Sequence, residues 1–193
     1  MDSIFNIVFR AMRKETATVF RKLALFSGSF DDKAAAGICG DRDGDHLGRL
    51  VALKLLEYDG INKRYFFHDL IHKLIKTEVR PSEKILTHRN LAFYYFDVLK
   101  DANALYDSDE DALESALNLF DLDWYNIEAG QKWSSQKSTE DAKIAKLCGD
   151  FCKEARVLMP MRHTTEECIQ WNESALEASR DSENVEAEKN NLL

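Results

Sequence analysis

LALFSGSFDDKAAAGICG (residues 23–40), LGRLVALKLLEYDG (47–60) and RYFFHDLIHKLIKT (64–77) carry the decisive reading of this 193-residue chain. Ser27-Gly28-Ser29 stops a helix over about residues 3–26, in which Met12, Val19, Phe20, Leu23 and Phe26 recur at helical spacing. Asp31 and Asp32 can cap the next helix, which runs through Lys33 to about Cys39. Gly40 to Gly44 is a polar turn. Leu47, Leu50, Val51 and Leu55 form the apolar stripe of a third helix over about residues 45–56. Tyr58 leads into the turn pair Asp59-Gly60, and Arg64-Tyr65-Phe66-Phe67 returns as a strand. His68 and Asp69 then open a helix marked by Leu70, Ile71, Leu74, Ile75 and Val79.

Helix, turn, helix, turn, helix, hairpin, helix is the order of a winged-helix unit. Pro81 disfavours helix at Arg80 and marks a joint. Charge changes there too: residues 1–80 hold 14 basic and 11 acidic side chains, residues 81–193 hold 12 and 23. Beyond the joint the pattern is helical throughout. One helix spans about residues 83–106 with Leu91, Tyr94, Tyr95, Val98 and Ala102 inward. A second is opened by Ser108, with Glu110 and Asp111 in its first turn, and continues through Phe120, Trp124, Ile127 and Trp133. A third runs from Thr139 to about Leu158, Met159-Pro160-Met161 breaks it, and a fourth runs from Thr164 to near Arg180. A turn at 181–184 leads to a fifth. Paired helices with short turns are the rhythm of a helical-hairpin repeat, and Cys168, Trp171, Ala175 and Leu176 alternate small and large as close packing requires. So few repeats bury their outer face poorly, so the chain is expected to be a piece of something longer at both ends.

The expected fold class is mainly α: a winged-helix unit with a short β-hairpin followed by an α-α superhelix. The expected division is residues 1–80, a helical linker at 81–138, and the start of a repeat array at 139–193. Purely apolar runs fall far short of the roughly 20 residues needed to span a bilayer. The apolar stretch from Ile4 to Phe9 precedes its cations (Arg10, Arg13, Lys14), the reverse of a secretory signal. Four cysteines without CxxC spacing argue for a reducing, cytoplasmic compartment.

HDLIH, His68 to His72, puts two imidazoles at i and i+4 on one helix face, a zinc-binding spacing. Asp69 stands where the peptidase pattern wants Glu, and no third ligand follows at a familiar spacing, so no metal site is expected. DRDGD, Asp41 to Asp45, hints at a calcium loop, but His46 and Ala52 occupy the positions that require Gly and Glu. A solvated turn is the better reading. Cys148 and Cys152 read as small core residues rather than a redox pair. No phosphate-binding glycine loop and no nucleophile motif is present, so no catalytic residue is expected. The third helix offers Arg49 and Lys54 against Asp45 and Glu57 and carries no Asn or Gln, which argues against DNA.

Taken in order, LALFSGSFDDKAAAGICG, the Leu-rich helix ending KLLEYDG, and YFFHDLIHKLIK resemble the winged-helix domain of NB-ARC (STAND-class) signalling ATPases, most closely bacterial regulators with tetratricopeptide (TPR) tails. DLDWYNIEAGQKW is similar to their linker before the TPR array, and CIQWNESALEASRDSENVEAEKNNL resembles the end of one TPR and the first helix of the next. The resemblance places Phe67, His68 and Asp69 on the family's Met-His-Asp signature. It implies that His68 contacts the β-phosphate of ADP and holds the closed state, with Asp69 steadying the turn. The plainer reading of His68 is a helix N-cap.

The resulting expectation is a regulatory and protein-interaction module, not an enzyme. It binds no cofactor by itself; ADP or ATP is implied only with an upstream nucleotide core, in cis or in trans. The expected partner is a protein or peptide at the TPR groove, with no membrane partner. A DNA-binding winged-helix regulator is the alternative.

Overall fold

The structure, a computed structural model, describes residues 2–108 and 112–190, with side chains described for 5–108 and 112–180. It is mainly helical, with one two-stranded antiparallel sheet. The chain divides into two compact units, Met1–Tyr94 and Tyr95–Leu193.

In the first unit the leading helix is two: α1 (Asp2–Ala11) and α2 (Lys14–Leu23), parted at Arg13, whose backbone is extended. No glycine or proline marks that break. It lets Phe5 stack on Phe9 (5.7 Å) while Phe9 meets Phe20 (6.4 Å). α2 buries Thr16, Ala17, Val19, Phe20 and Leu23. Asp31 caps the short α3 (Asp32–Ala34), its carboxylate accepting from Ala34 N at 2.8 Å. α3 runs on as a π-helical turn, Ala35–Cys39, closed by Gly40 at φ 89°. α4 (Asp45–Ala52) buries Leu47 and Leu50 and ends earlier than its apolar pattern suggests. Lys54, at φ 58°, turns the chain, so Leu55 and Leu56 reach the core from outside the helix.

β1 (Glu57–Asp59) and β2 (Arg64–Phe66) pair with Tyr58 opposite Tyr65. The loop between them spans 60–63 and is not a two-residue Asp-Gly turn. The Asp59 carboxylate accepts from Ile61 N (2.9 Å) and Asn62 Nδ2 (2.7 Å), and the left-handed position falls on Lys63. Those side-chain bonds, not glycine, set the turn. Phe30 bridges the other edge of β2, exchanging backbone bonds with Tyr65 at 3.0 and 2.7 Å. α5 (Asp69–Thr77) follows.

α6 (Pro81–Ser108) starts with Pro81 in its first turn, where a missing N–H costs nothing. The division between the two units falls inside it. Its buried line is Leu91, Ala92, Tyr95, Leu99 and Ala102, with Tyr94 and Val98 half-buried. In the second unit, α7 spans Leu113–Gln136, α8 Ala142–Ala155 and α9 Thr165–Asn190. Ser108 ends α6, its hydroxyl donating to Leu105 O, rather than opening α7; Glu110 and Asp111 lie outside the described residues. Asp141 caps α8 through Lys143 N. Met159–Met161 forms a 3-10 turn, and the Thr164 and Glu167 side chains cap the start of α9 reciprocally. Cys148 Sγ meets Ser174 O and Cys152 Sγ meets Trp171 O, so α8 and α9 run antiparallel. The turn expected at 181–184 is absent: α9 stays helical through Asn190. That stretch has no Gly or Pro, and Ser or Asn inside a helix costs only about 0.5 kcal/mol each.

Two glycines give opposite expectations. Gly48 sits inside α4 with nothing near its missing Cβ, so Gly48→Ala stabilises by about 0.7 kcal/mol. Gly40 has open space beside it, but at φ 89° a side chain strains the backbone, and Gly40→Ala destabilises by about 1 kcal/mol. Urea denaturation midpoints of the two variants test this; shifts of the same sign contradict it.

Candidate functional site

The site centres on the passage from β2 into α5. Phe67, just past β2, packs on Phe20 (5.7 Å) and stacks against the His72 ring (4.8 Å, 13°). Anchored there, the chain enters His68 in extended backbone, φ −69° and ψ 136°. His68 is the N-cap of α5: its Nδ1 accepts from Leu70 N at 3.4 Å, and its carbonyl accepts from His72 N at 3.0 Å. An imidazole accepting at Nδ1 carries its proton on Nε2, so exposed His68 offers a donor to solvent. Asp69 is exposed in the first helical turn, where its carboxylate complements the helix dipole.

His72 lies one turn on and does different work. Its Nε2 donates to Ala24 O at 2.8 Å, which ties α5 to the end of α2. Burial pushes its pKa below the usual histidine value, keeping the ring neutral. With His72 committed to a backbone carbonyl, HDLIH places two imidazoles on one helix without making one site. Among the described residues no three His, Cys, Asp or Glu side chains gather as a metal-holding group.

The DRDGD stretch departs from the solvated turn read in the sequence. Asp41 is buried and accepts from His46 N (3.2 Å) and Leu47 N (2.8 Å), so its carboxylate caps α4. Asp43 and Asp45 face solvent. Cys148 and Cys152 both face α9, and burial pushes the Cys152 thiol up to about 12. Cys39, enclosed in the first unit, is raised by burial as well. These thiols are poor nucleophiles.

Each unit carries a surface groove. One, about 490 Å³, runs along α8 and α9 over Ala145, Gly149, Ala175 and Leu176, with Lys153 and Arg156 at its rim. The other, about 420 Å³, lies between α1 and the exit of α4. The second groove has a faint sequence signal: α1 carries apolar residues on two faces.

Comparison with protein-family models, with curated proteins and with solved structures finds no match.

Proposed function

We propose that this chain is a non-catalytic regulatory and protein-interaction module: a winged-helix unit over residues 1–80, a helical linker over 81–138, and the root of a TPR-like array over 139–193. Its place is in a nucleotide-switched signalling protein whose nucleotide core lies in cis or in trans. The observation that carries the reading is the strand-to-helix passage. Phe67 is clamped in aromatic packing, so His68 caps α5 in a fixed position with its Nε2 donor facing out. The antiparallel α8–α9 pair with its open groove supports the peptide-receiving part.

The fit to an adenine nucleotide is a single contact. His68 supplies one donor at a helix start, which suits a phosphate oxygen. Asp69 beside it is anionic, and the sequence holds no phosphate-binding glycine loop. ADP bound to a core would supply the charge; His68 would give one hydrogen bond and Asp69 would hold the turn. A duplex suits the surface less: around α4, exposed Arg42, Arg49 and Lys54 are matched by exposed Asp43, Asp45 and Glu57.

Titration calorimetry of the chain with ADP is expected to give only heat of dilution, and micromolar binding overturns the reading. In an assembly with a nucleotide core, His68→Ala is expected to speed ADP loss roughly tenfold, the worth of one hydrogen bond to a charged group. Unchanged retention removes the sensor role.

A further inference from the structure

The groove between α1 and α4 has no part in that reading. The α1 face that carries Phe5 and Phe9 is held inward by their stacking and by Phe20. On the opposite face Ile7 is 68% exposed. Facing it, Leu53 is 46% exposed at the exit of α4, fixed by its N–H bond to Arg49 O at 3.0 Å. Ile7, Ala11, Met12 and Leu53 floor a cleft of about 420 Å³. Arg13 and Arg49 stand on its rim, and among the described residues no acidic side chain lines it. Both arginines are exposed, and neither guanidinium has an ion pair or hydrogen bond among the described residues.

Those features set the chemistry of an occupant. An apolar floor left in water favours a branched or aromatic side chain laid into it. Two guanidiniums that form no ion pair among the described residues favour carboxylates on either side of that side chain, since each carboxylate can accept a paired hydrogen bond from an arginine fork. We propose that this groove docks an acidic amphipathic helix of a partner protein, one presenting Leu, Ile or Phe flanked by Asp or Glu. Charge complementarity selects the partner and the apolar floor holds it.

The test uses the full chain and a fluorescein-labelled synthetic helix with Leu at i, i+3, i+4 and i+7 and Glu on both flanks, followed by fluorescence anisotropy. A control peptide carries Lys for Glu. Saturable binding of the Glu peptide that weakens with salt, and none of the Lys peptide, is expected. Arg13→Glu with Arg49→Glu should weaken the Glu peptide at least about tenfold and admit the Lys peptide. Both side chains are exposed and make no ion pair or hydrogen bond among the described residues, so circular dichroism should show the folded spectrum of the parent. No binding of the Glu peptide, equal binding of both peptides, or indifference to the double variant overturns the proposal. So does finding instead that the same arginines mediate only self-association in sedimentation, or only duplex DNA binding.

Discussion

Trp171→Ala is expected to destabilise the second unit by about 4 kcal/mol, a large part of the stability a domain of this size holds. Trp171 is buried in α9, stacked on Trp124 (5.4 Å, 17°) and in T-shaped contact with the Phe151 ring (6.4 Å, 87°). Trp124 in turn lies against His163 (3.7 Å) and Phe120 (5.2 Å), and Phe151 against Phe96 (5.2 Å). One ring therefore touches groups that belong to α7 and α8 from its seat on α9. Removing it leaves a cavity that α7, α8 and α9 cannot close, because the remaining aromatics are held by one another. The cost is about 4 kcal/mol, from lost transfer and cavity together. A domain's whole net stability is only about 5–15 kcal/mol. Near-UV circular dichroism should lose the stacked-indole signal, and urea denaturation should show the lost stability. Trp171→Phe should retain most of it. Leu176→Ala, at a position 54% exposed on the same helix, should change stability by less than about 0.5 kcal/mol. A loss below about 1 kcal/mol for Trp171→Ala would mean the stack is not what holds this unit together.

What could be read from sequence, and what could not, divides along the range of the interactions. Helices α4 to α8, the hairpin and the break at Met159–Met161 follow from periodicity and local turn chemistry, which act within a few residues. His68 at the head of α5 was legible for the same reason: a strand pattern ending directly on a helical pattern leaves one residue to cap it. The division of residues 3–26 into α1 and α2 was not. Its cause is the packing of Phe9 on Phe20, a contact between helices, and periodicity runs straight through it. The α6 stripe reads partly onto Tyr94 and Val98 because LAFYYFDVL is apolar at almost every position, so spacing alone cannot choose the inward line. Asp41 looked like part of a solvated loop because nothing local shows that the following helix start is buried. The role of the site is less legible still. A capping histidine and a phosphate-sensing histidine need the same residue in the same place, and only a second molecule distinguishes them.

Glu83→Ala is expected to destabilise the first unit by about 3 kcal/mol, and its pH dependence tests the cause. Arg21 on α2 is 5% exposed, and its guanidinium makes two 2.7 Å bonds to the Glu83 carboxylate on α6. The pair joins positions 62 residues apart, which no sequence pattern marks. Truncating Glu83 leaves a buried cation whose remaining partner among the described residues is Thr18 Oγ1, at 3.0 Å from Nη2. Replacing both members by apolar residues, Arg21→Met with Glu83→Leu, should recover most of the loss, because no charge is then stranded. The Arg21 hydrogen bonds, reinforced by the Arg80 N–H at 3.3 Å, hold the Glu83 carboxyl below the usual glutamate range. A carboxyl depressed in the folded state contributes fully above its unfolded value of about 4.3, and the contribution disappears as pH falls through the folded value. The stability gap between the parent chain and Glu83→Gln should therefore be widest at neutral pH and narrow as the pH drops below about 4. Urea denaturation of both proteins across that range is the measurement. A gap that stays constant with pH would assign the effect of Glu83 to packing rather than to its charge.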